Sequence, residues 1–450
     1  MTKSNKELFN EPDCSINNAK EAKERIKGCS KPVPGKASGG CAFDGAQIVL
    51  YPIADCAHIV HGPNLCCSHS YFTRGTRTTL ENPLYNYGFS TDLAETDIIF
   101  GAEKKLLNKI NYVHEHFKPR AIFVYSTCIS AMIGEDLDRI CKEAQNTIPI
   151  PVIPVDSPGF IGKKNYGNKL AGEALLKHVI GTGKPHNTTK RDICLIGEYN
   201  IAGEIWNIMP LFHELGIRVL SKITGDSTFD ELTYAHYAKC SVVICSQALL
   251  SLARKLKEQF NIPYIQGSFY SMKEIKNTLL NIADALQDEL LRKDILELTK
   301  RKEAETYKKI APYTEKLKDK KVFIYSGGVK SWSFVYLLEE LGLEVIGTST
   351  RKSTDEDIEH LKAYFEGKQK ILMEQGDGIK ILELMQQHNA DLLLAGGRNR
   401  YTSIKGKYPF VDINQERLHA YSGYKGIIRL AKDIYNEFSC PVFRIARGSF

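Results

Sequence analysis

RAIFVYSTCISAMIGEDLDRICKEAQNTIPIPVIP, residues 120 to 154, holds the pattern that decides the fold. The run Arg120 to Ser126, whose apolar part Ala121 to Tyr125 holds β-branched and aromatic residues, reads as a strand. After a turn, Ile133, Leu137, Ile140 and Cys141 recur at helical spacing through SAMIGEDLDRICKEA. A second apolar run, Ile150 to Pro154, reads as another strand. Strand, turn, helix, strand implies parallel pairing, because the helix must carry the chain back across the sheet.

The same alternation extends outward. Upstream, Thr91 to Phe117 is helical by spacing, with Leu106, Ile110, Val113 and Phe117 on one stripe. Downstream, the connection GTGKPHNTTK leads to ICLIGE, AGEIWNIMPLFHELG, RVLSKI, SVVIC and PYIQG, a second unit. A charged helical stretch from Leu290 to Lys320 then leads to KVFIYSGG, KSWSFVYLLEELG, EVIGTST, GIKILELMQQ, DLLLAGG and PFVDIN. The expected fold is α/β, with three doubly wound Rossmann-like domains and mainly parallel sheets. The boundaries expected are an irregular arm at 1–40 and domains at 41–190, 191–300 and 301–450.

A chain of 450 residues fits about three domains of ordinary size. Sixty basic residues against 53 acidic ones give a net charge of +7, spread without a dense Lys/Arg block, which argues against a nucleic-acid partner. No apolar run approaches the roughly 20 residues that span a bilayer, and MTKSNKELFN lacks the apolar core of a signal peptide. The expectation is a cytoplasmic protein with no membrane partner. Twelve cysteines in such a compartment are not a disulfide framework. Cys141, Cys194 and Cys240 lie in apolar patterns and read as core.

Other cysteines sit where side chains can be aimed. Cys41 follows a Gly pair, Cys66 follows Gly62 and Pro63, and Cys128 follows the strand ending FVYS. Iron–sulfur cubanes are held by thiolates, commonly four. These three supply all but one, and Cys67, adjacent to Cys66, points away in an extended chain. A missing fourth ligand suggests a second chain donating it; three unrelated turn thiols are the plainer alternative.

In doubly wound sheets, ligands lie beyond the carboxyl ends of strands. No such end carries a nucleotide fingerprint, since GEYNIAGE, YSGGVKSW and AGGRNR lack the required glycine spacing. Cys245 ends SVVIC and precedes a helix, so it reads either as a crevice thiol or as a buried core cysteine. Lys330 and Arg398 follow Gly-rich strand ends, while Arg74 and Arg77 follow the cysteine-rich stretch. Each alone reads as a solvated charge; together they suit an anionic ligand.

At this point the residues resemble the nitrogenase component 1 family. The phrases that carry the likeness are GGCAFDGAQI, PIADCAHIVHGP, RGTR, TDIIFGAEKKL, PVDSPGFIGKKNYGNKLAGEALLKHVIGT, LIGEYNIAGE, GSFY, GGVKSWS, AGGRN and PFVDINQERLHAYSGY, nearly the whole chain from Cys29 onward. Within that family the likeness is greatest to the members that build the iron–molybdenum cofactor. The resemblance implies a subunit that pairs with a homologous partner in a two-plus-two assembly and works with the nitrogenase iron protein and an upstream cluster donor. It implies a [4Fe-4S] cluster on Cys41, Cys66 and Cys128, completed by the partner. It also implies an iron–sulfur cofactor precursor on Cys245, with Arg74, Lys330 and Arg398 facing it while molybdenum and homocitrate are added. Asn414 stands where the catalytic α subunit is expected to carry a histidine ligand, and Asn168 aligns near a second such histidine. Cys29, in the arm, is a candidate transient ligand for incoming precursor. The alternatives are a catalytic nitrogenase α subunit and an α/β enzyme acting on an anionic metabolite with no cluster.

Overall fold

The computed structural model describes residues 40–73, 75–244, 246–350, 353–368, 370–374, 376–414 and 418–447. Cys29, Arg74 and Cys245 lie outside the described residues, as does the arm with its expected short helix.

Three parallel sheets organise the chain. The first has the order β2-β1-β3-β4, with β1 Ala57–His61, β2 Phe89–Ser90, β3 Ile122–Ser126 and β4 Val152–Val155. The second has the order β6-β5-β7-β8, built from β5 Asp192–Glu198, β6 Arg218–Thr224, β7 Cys240–Val243 and β8 Tyr264–Gln266. The third runs β11-β10-β9-β12-β13, from β9 Lys321–Tyr325, β10 Glu344–Ser349, β11 Ile371–Met373, β12 Leu392–Ala395 and β13 Phe410–Asp412. Every pairing is parallel. Strands β1, β3, β4 and β12 are short, mainly apolar runs buried on both faces, as helix-covered sheets require.

By compactness the chain forms two units. One comprises Gly39–Glu303 with Leu418–Gly426 and contains the first two sheets; the other contains Ala304–Arg417 with Ile427–Phe450 and the third sheet. In the first unit a continuous core runs from Phe43, Val49 and Leu50 through Phe123 and Tyr125 to Ile196, Val243 and Leu252. In the other, Phe323, Ile346, Ile381 and Leu393 pack around the central strands.

Several elements depart from the expected pattern. The stretch 91–117 is two helices, Glu95–Phe100 and Glu103–Phe117, because Gly101 takes a left-handed φ of 86° between them. The cysteine-rich opening holds two helices, Ala42–Leu50 and Asn64–Thr73, where only aimed turns were read. The first crosses Lys164–His178 at glycine contacts: a Cβ on Gly45 would overlap the Lys164 carbonyl, and one on Gly167 the Ala42 carbonyl. In the third sheet, the helix Asp355–Phe365 and edge strand β11 were not anticipated.

Candidate functional site

Cys41, Cys66 and Cys128 come from three segments that the first sheet brings together. Cys41 caps the helix Ala42–Leu50 in extended conformation and bridges Lys163, while the Lys164 amide donates to the Gly40 carbonyl at 2.8 Å. Cys66 lies in the first turn of Asn64–Thr73, just beyond β1, and Cys128 begins the helix Cys128–Met132 just beyond β3. Since β1 and β3 pair in register to their last residues, His61 with Ser126, the two segments leave the sheet side by side.

The loop after β4 closes the arrangement. Ser126 donates to Asp156 at 2.7 Å and accepts from the Ser157 amide at 2.8 Å, which fixes the approach to Gly159. A Cβ added at Gly159 would lie 2.9 Å from the Cys128 sulfur and 3.1 Å from the Cys41 sulfur, so the two thiols stand within about 6 Å of each other. Cys66 joins them: burial pushes its thiol up, and the Cys128 and Cys41 sulfurs push the same way. Cys67 does not join them. It is buried in the core with Phe43 and Val60, because the segment is helical and its side chain turns inward.

Among the described residues no group of three or more His, Cys, Asp or Glu could hold a single metal ion. A tetrahedral ion with thiolates at 2.3 Å draws their sulfurs to ~3.8 Å of one another. A cubane binds each thiolate at a separate iron corner and suits wider spacing. Three converging thiols beside a glycine cradle fit a cluster better than an ion. Cys141, Cys194 and Cys240 are buried as expected, each pushed by burial up to about 12, and are unreactive.

Apolar side chains surround the opening. Leu65, beside Cys66, is 78% exposed; Met132, one turn beyond Cys128, is 74%; Phe160, next to Gly159, is 61%. These are large apolar side chains left in solvent beside the three cysteines.

Beneath the thiols lies a buried polar network that sequence reading did not find. The His61 ring, fully buried, has Nδ1 3.1 Å from Thr91 Oγ1 and Nε2 hydrogen-bonded to the Glu135 carboxylate. Burial pushes the His61 pKa down against the opposing pull of Glu135. His61 and Glu135 are 74 positions apart, and nothing local in the sequence links them.

A second group of candidates is split between the units. In the first, the strap after Arg74 is sewn to the carboxyl ends of β5 and β6. Thr76 donates to the Tyr199 carbonyl at 2.8 Å, the Arg77 amide to the Asn200 carbonyl at 3.0 Å, and Thr78 and the Thr79 amide to Asp226, both at 2.8 Å. The Ile244 amide, just before Cys245, donates to the Ile196 carbonyl of β5 at 2.9 Å. The chain neighbours of Arg74 and Cys245 are therefore fastened to ends of the same sheet. The Arg77 guanidinium donates to the carbonyls of Ala202 and Leu418, at 3.3 and 3.4 Å, and so helps secure the strap. Asn168 is buried in the helix Lys164–His178, and its Oδ1 has no hydrogen-bond partner among the described residues.

In the other unit, Lys330, Arg398 and Asn414 follow β9, β12 and β13, three adjacent strands. Lys330 Nζ donates to the Ile413 carbonyl at 3.0 Å, and a Cβ on Gly396 would stand 3.3 Å from that of Asn414. The three thus occupy one carboxyl edge of the third sheet.

The fold of three parallel sheets has close relatives among known proteins. The model of the nitrogenase component 1 type oxidoreductases matches residues 41–439, and the chain belongs to that family. It is 49% identical to the nitrogenase iron-molybdenum cofactor biosynthesis protein NifE of Nostoc sp., over 98% of this chain and 92% of that protein. The Klebsiella pneumoniae protein of the same name is 42% identical, over 97% and 96%. Among solved structures, nitrogenase Cp1 at pH 5 superposes with a TM-score of 0.83 at 25% identity, covering 92% of this chain and 91% of the other. The fold is that of nitrogenase component 1.

Proposed function

We propose that the chain is a scaffold subunit of iron–molybdenum cofactor biosynthesis. It holds an iron–sulfur precursor while molybdenum and homocitrate are added, then releases it to the nitrogenase catalytic component. The observation that carries this reading is the neutral Asn414 on the strand-end edge that also bears Lys330 and Arg398. An amide is a poor iron ligand beside imidazole. With Cys245 as the one strong anchor, the cargo stays bound yet transferable, as delivery demands. Arg74, Lys330 and Arg398 supply positive charge for a cluster and its organic acid. Neither the catalytic α subunit nor the cluster-free metabolite enzyme is retained: the first lacks its histidine at Asn414, and the second leaves the thiol triad unexplained.

Cys41, Cys66 and Cys128 would hold a resident [4Fe-4S] cluster, and a homologous NifN-like subunit would donate the fourth thiolate and cover the apolar collar. A two-plus-two assembly in the cytoplasm, visited by the iron protein and a cluster donor, belongs to the same reading, as do three domains meeting near residues 190 and 300. Cys29 remains the candidate for precursor entry. The test is transfer: the complex, loaded anaerobically, should restore activity to cofactor-free nitrogenase component 1. Loaded complex that yields no restoration, beside a control activated by isolated cofactor, would contradict the proposal.

A further inference from the structure

We infer that His61 and Glu135 are a positioning pair, a buried clasp that sets the Cys66 and Cys128 thiols relative to each other before any cluster is present. The inference rests on the reading that these thiols hold a cluster.

The two cysteine segments leave adjacent strands, but a register alone does not fix loops five and two residues further on. Four bonds do. Thr127, directly before Cys128, donates its hydroxyl to the His61 carbonyl at 3.0 Å. It fills the space beside Gly62, where a Cβ would overlap it, so the two strand ends are pressed together. The Gly62 amide donates to Thr91 Oγ1 at 3.0 Å. Glu135, past the end of the Cys128 helix, folds back so that its carboxylate meets the His61 ring and accepts the Ala102 amide at 2.6 Å. The loop from Cys128 to Glu135 is thereby closed at both ends on the residue that starts the Cys66 loop.

Donors and acceptors in this ring settle the tautomer. A carboxylate only accepts, so Nε2 carries the proton toward Glu135. With neutral imidazole, Nδ1 accepts from the Thr91 hydroxyl, whose oxygen already accepts from Gly62. The chain Gly62 to Thr91 to His61 to Glu135 then has every donor used and every acceptor served.

Stability does not explain such a pair, because well-packed apolar residues in its place are often neutral or stabilising. Direction does explain it: second-shell partners orient ligands, and their loss typically costs about 10- to 100-fold in metal affinity.

The experiment uses the full-length chain in its partner complex, purified anaerobically. It compares the parent, Glu135→Gln, Glu135→Ala and the double variant His61→Leu/Glu135→Leu. Each is assayed for melting temperature, for the electron paramagnetic resonance signal that Cys41→Ala abolishes, and for the rate of iron loss from that site to a chelator. Glu135→Gln should behave like the parent, since the amide can serve the other imidazole tautomer. The double variant should melt like the parent yet lose iron about tenfold faster, with an altered signal. Parent-like iron retention and line shape in the double variant would overturn the inference. Should the double variant not assemble, equal iron loss in Glu135→Ala and Glu135→Gln would overturn it, and faster loss in Glu135→Ala alone would support it. A parent complex with no Cys41-dependent signal would instead sink the cluster reading itself.

Discussion

Adding a methyl group at Gly159 would set a carbon against the sulfurs of Cys128 and Cys41 and the Cβ of Cys41, its three nearest neighbours. Its φ lies outside the left-handed range, so alanine suits the backbone there and the cost falls on the thiols. We expect Gly159→Ala to leave the melting temperature of the cluster-free complex unchanged while iron bound at this site falls several-fold; full iron occupancy would remove the cradle from the account. At Asn414 the expectation has the opposite sense. Asn414→His adds a strong ligand and should slow precursor transfer to cofactor-free component 1 several-fold, measured as restored activity against time. The cysteines were legible because each follows a turn or strand end that aims it. Gly159 was not, since its contribution is a missing atom near residues far away in the chain. Nor was the His61–Glu135 clasp, which exists only once β1 and β3 pair.

At the scale of elements, the helix Ala42–Leu50 escaped sequence reading because nine residues with Gly45 in the middle make a weak helical signal. Packing supplies what propensity lacks: Gly45 and Gly167 let two helix backbones approach to contact. Gly45→Ala, which would favour an isolated helix, should here destabilise the fold by about 1–3 kcal/mol through overpacking, read from denaturant midpoints. Strand β1 carries a pH dependence. His58 stacks on Phe123 with ring centroids 5.5 Å apart, lies 2.8 Å from the Tyr125 hydroxyl, and is pushed by burial down to about 4. The unfolded chain takes up that proton near 6.5 and the folded chain refuses it until about 4. Stability is therefore full above pH 6.5 and falls as pH drops toward 4. The melting temperature of His58→Phe should decline less across that window than the parent's. The long βαβ alternations were legible because period and length agree; the three-residue edge strand β11 was not, being too short to carry a period.

For the whole molecule, the sequence foresaw three parallel sheets because each repeats the same strand and helix periods. It pointed to the cysteine triad as the place where a partner would meet the chain but not to the apolar residues around it, since exposure of Leu65, Met132 and Phe160 shows only once three segments fold. If that collar is the subunit interface, Leu65→Asp with Phe160→Asp should abolish co-purification of the homologous chain while each subunit stays folded by circular dichroism. Recovery of the intact complex would move the interface elsewhere. On the proposed function one chain would serve two separate iron–sulfur sites, a resident cluster at Cys41, Cys66 and Cys128 and a transferable one at Cys245. The most direct measurement is iron content with electron paramagnetic resonance of the anaerobic complex, comparing parent, Cys41→Ala and Cys245→Ala. The account predicts two signals, each lost in one variant and kept in the other. A single signal abolished by both substitutions, or a complex whose iron is indifferent to both, would contradict it.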